Sequence, residues 1–215
     1  GMRILRRHWR LFMPGSPLTL RQRLRYVSGW LPWVGDGIGL AFAALSVVWT
    51  GLSLAFPNYV ELPDPVLFTP PLLAFASRSA IAFAVHRARV PCALADSLRA
   101  TLAGIALAPT IGRAVIHAAL MPGAPFRRTP KGAGAAGIGR ALQGAAFELG
   151  LAAALLGAAV LSLTLQPSAP ASALWVAALV VQAVPALLAV ALALAAARRA
   201  PVSPSVRPVE KPYPA

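Results

Sequence analysis

The sequence predicts an all-α integral membrane protein, with about four membrane-spanning helices and amphipathic helices at the bilayer surface. Three observations predict it. The chain is 58% hydrophobic and only 12% charged, against about 25% charged residues in a soluble domain, and its mean hydropathy is +0.68. The apolar residues form runs of about 20 or more, the length needed to cross the hydrocarbon of a bilayer. The charge is gathered too: 20 Lys and Arg against 6 Asp and Glu give a net charge of +14, and the bases stand in short clusters between the apolar runs. Nucleic acid is the usual partner of so basic a chain. Here the clustering matches cytoplasmic loops that obey the positive-inside rule, so the lipid bilayer is the expected partner and nucleic acid is not.

Residues 1–25 carry Arg3, Arg6, Arg7, Arg10, Arg21, Arg23 and Arg25, interleaved with Leu5, Trp9 and Phe12 and divided by Pro14-Gly15-Ser16-Pro17. This suits a basic interfacial segment on the membrane surface; the alternative is a disordered basic arm. Gly1 to Phe12 lacks the apolar middle of a cleavable signal peptide. The first span is expected over 35–56, apolar except for Asp36 near its start. Trp30, Trp33 and Trp49 lie towards its ends, where indole rings favour the headgroup region. The loop 57–64 holds Glu61 and Asp64 and no base. The second span is expected over 65–86, with first turns made irregular by Pro65, Pro70 and Pro71. Arg78 lies inside it, and His86-Arg87-Ala88-Arg89 closes it.

Residues 93–121 are apolar but punctuated by Asp96, Arg99, Arg113 and His117, and Pro109 should kink them. The segment is long enough to span, but basic clusters flank it at 86–89 and 127–131. Both clusters belong on the cytoplasmic side, so the segment is expected to lie in the interface or to re-enter. The third span is expected over 141–166, with Glu148 near its start, and the fourth over 173–197, closed by Arg198-Arg199. The turn 166–172 is uncharged. Trp175 and the remaining aromatics are expected to anchor the spans at the interface. The expected organisation is a basic segment at 1–25, a bundle at 26–199 and a disordered Pro-rich tail at 200–215. With the basic clusters at 3–25, 86–89, 127–140 and 198–199 all cytoplasmic, four spans and one non-crossing helix satisfy the charge pattern without a violation.

Motifs of soluble enzymes are absent. There is no Gly-rich phosphate loop before a helix, no Cys and His metal set and no Ser-His-Asp arrangement. The single cysteine, Cys92, has no partner for an internal disulfide. The six acids are scattered, with no Asp-x-Asp pair. One stretch stands out: Pro125-Phe126-Arg127-Arg128-Thr129-Pro130-Lys131-Gly132, followed by flexible backbone from Gly132 to Gly139. Two Arg, a Lys and a Thr hydroxyl suit a diphosphate; the plainer reading is a cytoplasmic loop. Arg113 and His117 share a helix face and suit a phosphate or a lipid headgroup. Arg78, near the middle of its span, carries a charge that costs at least ~2.5–3.5 kcal/mol there, so it must face protein or water. It could line a polar path, pair with Glu148 or Asp36 inside the bundle, or snorkel.

The order of these elements resembles the C-terminal membrane region of bacterial family 2 glycosyltransferases, the group of the cellulose synthase catalytic subunit. Met2-Arg3-Ile4-Leu5-Arg6 is similar to the M-Q-I-L-R segment that follows their Q-x-x-R-W motif. Leu18-Thr19-Leu20-Arg21-Gln22-Arg23-Leu24-Arg25-Tyr26 is similar to L-x-x-x-Q-R-x-x-Y at the start of the next membrane helix. Phe126-Arg127-Arg128-Thr129-Pro130-Lys131-Gly132 is similar to the F-x-V-T-x-K-G gating loop. The resemblance covers residues 2–199, and the family shares the order of two spans, an interfacial helix, the loop and two more spans.

The resemblance implies a multi-pass protein of the bacterial inner membrane that forms the membrane and gating portion of a nucleotide-sugar-dependent glycosyltransferase. Phe126, Arg127, Arg128, Thr129 and Lys131 would close over the nucleotide, with Thr129 near its diphosphate, and Arg78 and Glu148 would be channel or bundle charges. A catalytic domain in cis or in trans, a nucleotide sugar and a glycan or lipid acceptor are the implied partners. No cofactor is expected in this chain; Mg or Mn would belong to the catalytic domain. The sequence departs from the pattern at Arg128, where the cellulose enzymes have Val, and at Arg3, where they have Gln. Gln22-Arg23-Leu24-Arg25-Tyr26 also imitates Q-x-x-R-W, with Tyr for Trp. The catalytic aspartates are missing, so the chain is expected to be a fragment or one half of a split enzyme, without turnover of its own. The contrasting expectation is a small non-enzymatic membrane protein, a transporter subunit or scaffold. Against a transporter stands the lack of an internal repeat.

Overall fold

The computed structural model describes residues 5, 7–13, 15–121, 138–165 and 172–198. Among them are a 3-10 turn at Trp9–Phe12, six α-helices and no strand. The helices are α1 (Leu20–Ala55), α2 (Pro65–Arg89), α3 (Leu94–Leu120), α4 (Ile138–Gly144), α5 (Ala146–Leu165) and α6 (Ser172–Arg198). Five of them, α1, α2, α3, α5 and α6, are long and apolar enough to cross a bilayer. The chain is an all-α, multi-pass membrane protein. The fifth such helix, α3, is the segment that the charge pattern leads one to expect on one side of the membrane.

The first helix starts earlier than the apolar run does. Thr19 and Gln22 form a capping box: the Thr19 Oγ1 accepts from the Gln22 N–H at 3.3 Å, and the Gln22 Oε1 accepts from the Thr19 N–H at 2.9 Å. Two of the N–H groups that a helix start leaves unpaired are thereby satisfied. The basic residues Arg21, Arg23 and Arg25 therefore belong to α1, and the expected boundary at residue 25 moves to Thr19. At 36 residues, α1 is about 54 Å long, well beyond the ~30 Å of hydrocarbon, so its basic first turns extend out of the membrane. Phe12 meets Trp30 edge-on at 5.1 Å and Tyr26 at 6.2 Å, which ties the 3-10 turn to α1.

The second helix is unbroken where irregular first turns were expected. Asp64 caps it, its Oδ1 accepting from the Val66 N–H at 2.8 Å, and Pro65 occupies the first helical position, where its missing N–H costs nothing. The bonds forfeited at Pro70 and Pro71 are those to the carbonyls of Val66 and Leu67, within a turn of the helix start. The third expected span is α4 and α5 run together, interrupted only at Ala145. The hydrogen bonds from Ala145 to Ala141 (3.0 Å) and from Leu149 to Ala145 (2.9 Å) carry the ladder across the interruption.

The core joins Ala43 of α1, Phe68 of α2, Leu155, Ala158 and Ala159 of α5, and Trp175, Ala178, Leu179 and Ala183 of α6. Small side chains on α5 and α6 let the two backbones approach closely, the usual means of packing helices in lipid. Trp175 corrects an expectation. It is only 2% exposed, so it is no interface anchor. Its Nε1 donates to the Thr50 Oγ1 at 3.0 Å and its ring meets Phe68 at 5.5 Å. With an acceptor inside the bundle, the indole has no need of headgroup water. Trp49 does keep an edge position, donating from Nε1 to the Glu61 carbonyl at 3.0 Å.

No residue of α3 belongs to that core. The contacts that fix α3 fall elsewhere. Ser97 lies 3.4 Å from His86 near the end of α2. Thr110 bonds Glu148 near the start of α5, and Gly112 sits against Asp36 and Leu40 in the first half of the α1 span. Ala103 to Thr110 face Ala189, Leu192 and Ala193 near the end of α6. All these partners lie towards the basic ends of their helices.

Candidate functional site

Two acidic groups lie on the basic-side half of the bundle, one on each flank of α3. The first is Asp36. Gly37 and Gly112 let α1 and α3 come so close that a Cβ at Gly112 would stand 2.5 Å from the Asp36 carbonyl oxygen. The side chain of Asp36 is 1% exposed, and both its oxygens receive the guanidinium of Arg78 from α2: Nη2 donates to Oδ2 at 3.0 Å, and Nη1 to Oδ1. Such a two-pronged pair is the strongest form of charge-assisted hydrogen bond. Among the partners expected for Arg78, the structure selects Asp36, not Glu148. The Arg78 side chain is 43% exposed, so the pair is closed towards the bundle and open along its outer edge.

The second acid is Glu148, 3% exposed. The Thr110 hydroxyl of α3 donates to its Oε1 at 2.7 Å. Glu148 borders a cavity of about 380 Å³, whose walls are Ala103, Ala106 and Leu107 of α3, Ala141, Gly144 and Ala145 of α4 and the residue after it, and Ala189, Leu192 and Ala193 of α6. Among the described residues no cation forms an ion pair with Glu148. Arg113, one turn beyond Thr110, instead places its guanidinium carbon 4.9 Å from the centre of the Phe147 ring, a cation–π contact. His117 is exposed one turn further on, and its carbonyl accepts from the Met121 N–H at 2.8 Å. Arg113 and His117 therefore lie on the accessible face of α3, as the i, i+4 spacing predicts.

A third polar cluster was not foreseen. The Cys92 Sγ lies 3.8 Å from the His86 Nδ1 and 3.3 Å from the Ser97 Oγ, and the Arg87 Nη1 donates to the Cys92 carbonyl at 3.0 Å. These contacts hold the short turn between α2 and α3, and Ser97 is fully buried in it. The sequence signal is slight: a His, a Cys and a Ser within twelve residues, on both sides of Pro91.

The expected diphosphate loop, Phe126, Arg127, Arg128, Thr129 and Lys131, lies outside the described residues, as does the tail 200–215. No family model, curated protein or solved structure matches the chain.

Proposed function

We propose that the chain is the membrane and gating portion of a nucleotide-sugar-dependent glycosyltransferase of the bacterial inner membrane. In this reading it docks a catalytic domain, in cis or in trans, on its basic side, and shapes the path of a glycan or lipid acceptor. The observation that carries the reading is the placement of α3. It lies between two helices before it and two long helices after it, and it touches them on their basic-side halves. That is the place an interfacial helix takes in the order of elements on which the resemblance rests. The motif residues at 2–6, 18–26 and 126–132 supply the rest of the support. Metal, sugar donor and catalytic aspartates belong to the partner domain in this reading.

Two experiments test it. If α3 does not cross, cysteines at positions 88 and 134, placed singly in a Cys92→Ala chain, are both labelled from the cytoplasmic side; labelling from opposite sides sinks the topology and the assignment with it. With a catalytic domain restored, Thr129→Ala and Lys131→Ala are expected to weaken nucleotide binding about tenfold or more, since charge-assisted contacts are worth roughly 1.5–3 kcal/mol each. Arg140→Ala serves as the control for general positive charge. If the loop variants and the control behave alike, the loop is a topological anchor, and the chain is better read as a non-enzymatic membrane protein.

A further inference from the structure

The cavity beside Glu148 has a chemistry that the glycosyltransferase reading does not use. A carboxylate offers about four acceptor positions, and among the described residues Glu148 receives one hydrogen bond, from Thr110. A buried carboxylate without a cation is costly unless something supplies one. The basic group best placed to do so in the described structure, Arg113, is drawn to Phe147 instead. An acidic and a basic side chain thus flank the same cavity edge without pairing with each other among the described contacts.

The cavity also has a depth and an opening. Glu148 lies eight residues after Arg140 and Ala193 five before Arg198, about 12 Å and 7.5 Å along their helices. Both bases close the basic ends of their spans, so the cavity sits just below headgroup level. Two of its walls, Leu107 and Leu192, are 55% and 46% exposed. It therefore opens on the outer surface of the bundle, where lipid lies. Apart from Thr110 and Glu148, the rest of its lining is alanine and glycine, which suits a glycerol backbone and the start of an acyl chain.

We propose that this cavity binds the headgroup of a phospholipid bearing a primary ammonium, of the phosphatidylethanolamine class, with Glu148 accepting from the ammonium and Arg113 meeting the phosphate. The ammonium supplies N–H donors that Glu148 does not receive from the described residues. A choline headgroup carries the same charge but has no N–H to give. A glycerol headgroup leaves the lipid anionic and brings no cation to Glu148. The site does not depend on whether the chain serves a sugar transferase.

The test uses the full chain in detergent micelles doped with phosphatidylethanolamine, phosphatidylcholine or phosphatidylglycerol of identical acyl chains, and counts retained lipid by native mass spectrometry. Phosphatidylethanolamine is expected to bind about tenfold or more tightly than either of the others, a difference of about 1.4 kcal/mol. Glu148→Gln is expected to abolish that preference, and Arg113→Ala to weaken the ethanolamine lipid several-fold, while Arg99→Ala changes nothing. Equal binding of the ethanolamine and choline lipids to the unaltered chain overturns the proposal. So does a preference for phosphatidylglycerol, which would report a basic surface only, or an undiminished preference in Glu148→Gln. The ranking of lipids on the unaltered chain decides the matter even if a variant fails to fold.

Discussion

Arg78→Ala is expected to destabilise the bundle by about 3 kcal/mol, Asp36→Ala by less, and the two together by clearly less than their sum. Breaking a buried pair by removing one partner costs about 3–5 kcal/mol because it strands a charge. The two partners are not equally stranded. Without Arg78, the Asp36 carboxylate, 1% exposed, is left under the backbone of α3 with no cation. Without Asp36, the Arg78 guanidinium starts from a side chain already 43% exposed and can extend along its stem towards the headgroups; that exposure also discounts the pair's own contribution. Removing both strands nothing. The measurement is a double-mutant cycle on unfolding in detergent. Additive losses, or a larger loss for Asp36→Ala, would show that the pair does not hold α1 to α2 in the way the geometry implies.

That pair marks the limit of what the sequence discloses. The mid-span position of Arg78 announces that it needs a partner, but Asp36 and Glu148 are both acids near the starts of spans on the same side. Only the reach of the Arg78 side chain to Asp36 in the folded bundle selects between them. Helix starts are more legible. Thr19-Leu20-Arg21-Gln22 spells a capping box and Asp64-Pro65 an N-cap followed by proline, and both act as their chemistry dictates. The face on which Trp175 lies is not legible, because α6 is apolar all round and so carries no period that tells lipid from core. The same uniformity hides the Glu148 cavity. Alanines 103, 106, 141, 145, 189 and 193 look alike in sequence whether they pack against a neighbour or leave a space between three helices. The order of spans, by contrast, follows from length, hydropathy and charge clusters alone, and the all-α fold with it.

Gly112→Ala is expected to cost about 1–3 kcal/mol, the usual range for overpacking a close contact, and to separate α3 from α1. The added methyl would lie 2.5 Å from the Asp36 carbonyl oxygen and 3.0 Å from the Leu40 Cβ. The first obstacle is backbone and cannot rotate away, so the helices themselves must part. Gly37→Ala meets the same interface from the other side, but there the obstacle is the Val115 Cγ1 at 2.9 Å, a side-chain methyl that a rotamer change can withdraw. A smaller loss is expected. Gly104, also on α3, has nothing within 4 Å of a would-be Cβ. Gly104→Ala should therefore stabilise the chain by roughly 0.5–1 kcal/mol, through the better helix propensity of alanine. The expected order of unfolding midpoints in detergent is Gly104→Ala above the unaltered chain, then Gly37→Ala, then Gly112→Ala. Parting α3 from α1 also uncovers Asp36, so Gly112→Ala should weaken the coupling measured between Asp36 and Arg78. If Gly112→Ala unfolds with the unaltered chain and leaves that coupling intact, α3 is not seated on α1, and the placement that carries the functional proposal falls with it.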